Sequence, residues 1–302
     1  MKAAGSMDWR AWCVFAALGI IWGLPYFFIK LAVREFPPFF VAWSRILLAA
    51  LILLPLAWQR GALRPVWNHK AAILAFALAE FAIPFAAISF AERSIDSSAT
   101  GIVIASVPFT IILIARFFGV REPFEPGRLL GLALGLCGVI ILLGFGTVAE
   151  AHDWTGVLCL ACATLGYASG ALIIQRHLSE LDAIGPLAAS LALAAVLLLP
   201  PALLTAPPRI AWDLASFAII VLGVLCTAVA MLLMFYLIRR AGASRASVIT
   251  YINPAVATLL GVLLLHERLG ANGLLAFALI LSGSWLATRR RAAPRGSMLR
   301  PA

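Results

Sequence analysis

Two ionisable side chains lie deep inside long apolar stretches of this sequence: Arg45, within 38–58, and Glu80, within 70–91. If those stretches are helices in a bilayer, each charge costs roughly 3 kcal/mol or more unless it is partnered or used. The two stretches are consecutive and therefore antiparallel. Counting ~1.5 Å per residue from their outer ends, at 38 and 91, places Arg45 about 10 Å deep and Glu80 about 16 Å deep. A long arginine side chain makes an Arg45–Glu80 pair feasible. Read structurally, that is an ion pair, or Arg45 snorkels to the interface. Read functionally, Glu80 faces a cavity and binds a substrate amine or a coupling proton.

Other groups at similar depth could complete such a site. Trp22, Tyr26, Trp43, Tyr167 and Tyr251 are candidate lining for an apolar or aromatic solute. Ser106, Ser169, Ser244 and Asn253 could hydrogen-bond a carboxylate or an amine, and could equally bridge helices. Pro84, Pro108 and Pro254 interrupt the helices that carry these groups, and Pro25 interrupts the first. Catalytic and metal chemistry find no support. His69, His152, His177 and His266 sit in or beside loops, and no H-E-x-x-H occurs. Cys159-x-x-Cys162 stands without a second pair or a nearby histidine, so it reads as small packed residues. No Walker-type G-x-x-x-x-G-K-[ST] is present, so no nucleotide and no other cofactor is expected.

The elements that must position these residues are apolar helices. Of 302 residues, 63% are hydrophobic and 12% charged, and the mean hydropathy is +1.03. A water-soluble chain could not cover its surface with so few polar groups. A bilayer accepts this composition if every backbone group is satisfied within helices of about 20 residues. Windows of that kind run over 9–31, 38–58, 70–91, 97–119, 128–146, 154–175, 183–205, 213–238, 244–265 and 273–289. They predict an all-α integral membrane protein of ten transmembrane helices. Met1–Ser6 precede a second methionine, Met7, and are set aside as leader. The first window is too long for a signal peptide and has no small-x-small cleavage site.

The net charge of +10 is distributed by side. One face holds only Lys30, Arg34, Arg93, Arg209 and Arg268; apart from Arg45, the remaining lysines and arginines crowd the other. The positive-inside bias puts both termini in the cytoplasm of a bacterial inner membrane. The basic segment 291–302 then reads as a cytoplasmic tail with affinity for anionic lipid rather than as a nucleic-acid site.

The chain also repeats itself. A shift of 145 residues pairs Trp9 with Trp154, Leu54-Pro55 with Leu199-Pro200, Glu122 with Glu267 and Gly138 with Gly283. With one inserted residue, Phe90 pairs with Tyr236, Arg93 with Arg239 and Pro108 with Pro254. An odd number of helices per copy forces the copies into opposite orientations, an arrangement that places solute sites near the midplane between halves. The predicted units are 7–147 and 153–290. Glu122 and Glu267 each precede a helix, where a carboxylate complements the N-terminal dipole. Gly127-x-x-x-Gly131-x-x-x-Gly135 is a small-residue stripe for close packing, within the monomer or across a homodimer.

Trp22-Gly23-Leu24-Pro25-Tyr26 through Lys30 resembles the W-G-x-x-aromatic…K opening of EamA-type members of the drug/metabolite transporter superfamily. Pro37-Pro38, Ala42 and Arg45 resemble that family's P-P-x-x-x-A-x-x-R stretch, and Ser106-x-Pro108 with Glu122 is repeated as Asn253-Pro254 with Glu267. The resemblance covers 9–290. It implies an exporter of small metabolites, often amino acids, working by alternating access, with four helices of each half around a cavity and the fifth and tenth peripheral. The wealth of aromatics is similar to aromatic amino acid exporters of the YddG type. The second half departs from the pattern: Gly166-Tyr167 replaces Trp-Gly, and Gln175 and Ser190 take the places of Lys30 and Arg45. The expected function is secondary export of small amphipathic metabolites. A passive channel shares the composition, and an intramembrane enzyme lacks the clustered acid–base residues it would need.

Overall fold

A helix in hydrocarbon ends where its sequence stops being apolar, and the observed boundaries follow that rule. The computed structural model describes residues 9–115, 117, 126–145, 153–209, 212–241, 249 and 252–288. The first two helices are Trp9–Ala32 and Pro38–Gln59, and the third is the continuous span Pro65–Ala91. The fourth comes in two pieces, Ser97–Ile104 and Val107–Ala115, broken at Ala105–Ser106 just ahead of Pro108. The fifth is Pro126–Phe145. In the second half follow Trp154–Leu178, Ile184–Leu204, the eighth helix from Leu214 to Ala241, Asn253–Leu264 and Ala271–Thr288. Pro254 takes the first turn of the ninth helix, where its missing N–H has no helical partner to lose.

The described residues are all helix and connecting turn, and the neighbour pattern carries the pseudo-twofold of an inverted repeat. The first helix packs on the ninth, as the sixth does on the fourth; the second packs on the eighth, as the seventh does on the third. The second and seventh pair with each other, as do the fourth and ninth and the fifth and tenth, so the axis runs through those pairs. Five helices per copy with this pairing give two opposed halves.

Within the six longest spans, between 33% and 50% of the apolar window is buried against protein, which leaves apolar surface on each for lipid. Trp9, Trp58, Trp67, Trp154, Trp212 and Trp285 are exposed near span ends, as interfacial tryptophans are.

The fifth and tenth helices meet through glycine. A Cβ on Gly283 would lie 2.5 Å from the backbone nitrogen of Gly135 and 2.7 Å from the carbonyl oxygen of Gly131. The small-residue stripe is therefore filled from within the monomer by its own tenth helix. Gly127, at the stripe's end, has no neighbour within 4 Å of such a Cβ.

The third and eighth helices share a second symmetric feature, legible only in the structure. Both are π-helical near their middle, over Ala77–Ala82 and Val221–Val229. The 145-residue register carries the first stretch onto 222–227, inside the second. A π insertion turns every later side chain by about 100° and leaves carbonyls without their usual i+4 donors. Both stretches lie where the two halves meet.

Candidate functional site

Arg45 is buried on the second helix, and its Nε–H donates to Thr227 Oγ1 of the eighth at 2.9 Å. Thr227 in turn donates to the carbonyl of Leu222 at 2.8 Å, five residues back, a bond the π stretch makes available. The guanidinium also lies over the Phe85 ring, 3.9 Å from its centroid. Phe85 continues an edge-to-face ladder through Phe81 to Phe76. Arg45 thus joins the two halves by one hydrogen bond, while its cation–π contact with Phe85 ties the second helix to the third within the first half.

Glu80 sits in the π stretch of the third helix and turns toward the sixth. Its Oε2 lies in the space a side chain on Gly170 would fill, and Gly166 makes the same room for Pro84 and the Ala79 carbonyl. Gly166-x-x-x-Gly170 is therefore the notch that lets the third helix bring a carboxylate up to the sixth. Glu80 and Arg45 do not form the anticipated ion pair. Among the described residues the ion pair is Lys30 with Asp96, at 4.0 Å. Arg45 is engaged by Thr227 of the eighth helix and by the Phe85 ring of the third, whereas Glu80 is drawn to the sixth by its glycine notch.

Two tyrosines complete the grouping. Tyr26 and Tyr167 are half-buried, and both lie within electrostatic reach of Arg45, as Tyr167 does of Glu80. The ring of Tyr26 packs 3.5 Å from the Cβ position of Gly101 on the fourth helix, and Tyr167 touches both large apolar clusters of the bundle. Tyr26, Arg45, Glu80 and Tyr167 thus gather where the first, second, third and sixth helices converge.

The remaining candidates lie elsewhere. Trp22 packs on the cluster formed by the first helix with the eighth. Trp43 lines an apolar groove of about 270 Å³ with Leu47, Leu54, Ala192 and Leu199, between the second and seventh helices. Ser106 is buried and donates to Val103 O at 2.6 Å, within its own helix break. The Asn253 amide nitrogen donates to Gly19 O at 3.2 Å and Ile249 O at 3.0 Å, tying the ninth helix to the first. Pro84 and Pro254 are buried, Ser169 is half-buried, and Pro108 lies in the second piece of the fourth helix. Ser244, Tyr251 and Glu122 lie outside the described residues, as does 291–302.

Glu267 does not serve the helix that follows it, which begins at Ala271. Its carboxylate accepts from Ser97 N at 2.7 Å, Ser97 Oγ at 2.8 Å and Ser98 N at 2.9 Å, capping the fourth helix of the other half. His266, at φ 57°, makes the left-handed turn that swings Glu267 back over Gly261. Outside the spans, Asp153 caps the sixth helix; hydrogen bonds from Ser94 and then Thr155 hold its carboxyl down at about 2.

Sequence reasoning missed Thr227, Phe85, Gly170 and Glu92. A small-x-x-x-small motif at 166–170 was the available signal for the notch; Thr227 carried none, because its repeat mate is apolar.

Comparison with known proteins fits this architecture. The EamA-like transporter family matches residues 9–144 and again 154–289, once per half. The chain belongs to the EamA-like transporter family. It is 31% identical over 279 residues to the uncharacterized inner membrane transporter YedA of Escherichia coli K12, covering 88% of each. It is 24% identical over 273 residues to the uncharacterized transporter YoaV of Bacillus subtilis, covering 89% of this chain and 93% of that one. A crystal structure aligns over 92% of this chain and 96% of its own at a TM-score of 0.64 and 21% identity, a likeness of fold. The protein is a multi-pass membrane transporter of this family.

Proposed function

We propose that this transporter exports small amphipathic metabolites, foremost amino acids with aromatic or other apolar side chains, by alternating access around a site between its halves. The observation that carries the reading is the convergence of Tyr26, Arg45, Glu80 and Tyr167 on helices of both halves, away from lipid. An amino acid presents an amine, a carboxylate and an apolar side chain. Glu80, set against Gly170 with no side chain between, offers an acceptor for the amine. Arg45 has Nε committed to Thr227, which leaves its two terminal amino groups for a carboxylate. Tyr26 and Tyr167 supply aromatic faces.

The two π stretches flank the joint at which the halves would rock, and π-bulges recur at functional sites. Loading from the cytoplasm is what resemblance to metabolite exporters implies, and the positive-inside bias supports cytoplasmic termini, with the basic segment 291–302 having affinity for anionic lipid. Energy comes from gradients.

The test is uptake of a radiolabelled amino acid panel into proteoliposomes, with and without a pH gradient. Wild-type protein is expected to take up aromatic or branched members, and Glu80→Gln and Arg45→Gln to lose that flux while remaining folded. A Glu80→Gln protein that transports normally at every pH would sink the assignment.

A further inference from the structure

At the end of the bundle where the third helix finishes, Glu92 is fully buried, and among the described residues neither of its carboxylate oxygens has a hydrogen-bond partner. Its backbone N–H donates to the Ile88 carbonyl, and that of Arg93 to the Phe90 carbonyl, which places Glu92 at the helix C-terminus. There the helix dipole presents its negative pole, the wrong sign for a carboxylate. An ionised carboxylate in such a place is disfavoured by burial, by the dipole and by any like charge.

The facing groups add to this. Glu267, from the connection between the ninth and tenth helices, is within electrostatic reach and carries like charge. Lys30 of the first helix opposes it, yet Lys30 Nζ donates to Ile95 O at 2.7 Å and stands 4.0 Å from Asp96. Arg45 of the second helix acts on Glu92 at longer range while its Nε serves Thr227, and Tyr26 faces it from the first. On the fourth helix Ser98 Oγ is buried without a partner, on the residue whose N–H holds Glu267.

We propose that Glu92 is a proton-binding site, protonated in the packed state seen here, whose deprotonation releases the Glu267 cap that joins the two halves at this end. The proton leaves to water, and the carboxylate left behind needs donors. Lys30 can supply one only by leaving Ile95 and Asp96, and the new charge pushes Glu267 off Ser97 and Ser98. Both changes loosen the same joint. Under the transport reading this end faces the periplasm, so the site would tie outward opening to pH; the proposal rests on that reading for its sidedness alone.

The test needs no solute. In cysteine-free protein reconstituted into phosphatidylethanolamine–phosphatidylglycerol nanodiscs, spin labels at Arg93→Cys and Arg268→Cys, both exposed, report the separation across the joint. The wild-type distance is expected to lengthen as pH rises, while Glu92→Gln stays at the short distance throughout. The infrared absorption of protonated carboxyls at neutral pH should be stronger in wild type than in Glu92→Gln, the difference being the Glu92 band. Lys30→Met removes the opposing cation and should move the opening midpoint to higher pH, which carries the test if Glu92→Gln fails to fold. Distances that ignore pH, a Glu92→Gln protein that opens like wild type, or a midpoint that follows Na⁺ when choline replaces it would each overturn the proposal. None of these readings involves transport, so their failure leaves the transport proposal standing, and a failed uptake panel leaves this one standing.

Discussion

Glu267→Ala should release the start of the fourth helix while leaving the rest of the bundle in place. Among the described residues no side chain of the first half caps that helix; Asp96 occupies the cap position, but its side chain does not bond the helix's N–H groups. The cap comes from the other half, through three contacts of 2.7, 2.8 and 2.9 Å to one carboxylate. A single N-cap is worth about 1 kcal/mol and up to about 2, and hydrogen bonds to a charged acceptor about 1.5–3 kcal/mol each. Because the three share one carboxylate and Glu267 is half-exposed, they do not add, and about 2 kcal/mol is the expected loss. That corresponds to roughly 30-fold faster opening-limited exchange. The assay is hydrogen–deuterium exchange of peptides covering Ser97–Ile104 in detergent, read against peptides from the seventh helix as internal control. Glu267→Gln should fall between, since one carbonyl oxygen can still accept from Ser97 while its amide nitrogen faces the Ser98 N–H. Exchange at Ser97 and Ser98 within a few-fold of wild type in Glu267→Ala would refute the cap.

Four further outcomes follow from the packing. Gly283→Ala pushes a methyl into the Gly131 and Gly135 backbone and should lower the thermal unfolding temperature, an overpacking cost of about 1–3 kcal/mol, whereas Gly127→Ala should be neutral or stabilising. Thr227→Val leaves the Arg45 Nε–H without its acceptor at a cost of about 1–3 kcal/mol, and Thr227→Ser should restore most of it in the same melt. His266→Gly relieves a left-handed conformation and should raise the melting temperature slightly; an unchanged or lower melting temperature would count against strain at this turn. Asp153 is held below its ordinary value of 3.8, at about 2, so its stabilisation is full above pH 3.8 and lost as pH falls toward 2; Asp153→Ala should show a smaller acid-induced drop over that window than wild type, in a pH series of melts.

Much of the scaffold was legible because bilayer physics leaves few choices. Apolar run length predicted the spans, the 145-residue register predicted two copies, and the odd helix count predicted their opposition. The site was legible only as a set of residue types. Arg45 and Glu80 stood out as charges at depth, yet their partners lie across the repeat boundary: Thr227 is 182 residues away. Counting faces at 3.6 residues per turn also fails beyond a π insertion, and Glu80 sits inside one. Glu92 escaped notice because the apolar window closed at Ala91, which read it as a loop charge when it is fully buried. Glu267 was recognisable as a helix-capping carboxylate, but which helix it caps depends on the turn at His266, which composition does not announce.

In the proposed cycle a solute crosses by binding between two halves that expose it to one side at a time. Counterflow tests this most directly: proteoliposomes preloaded with excess unlabelled aromatic amino acid, diluted into a trace of the labelled one. Transient accumulation of label that disappears in Glu80→Gln is the predicted result. Flux that stays linear without acceleration by preloaded solute, or accumulation unchanged in Glu80→Gln, would contradict it.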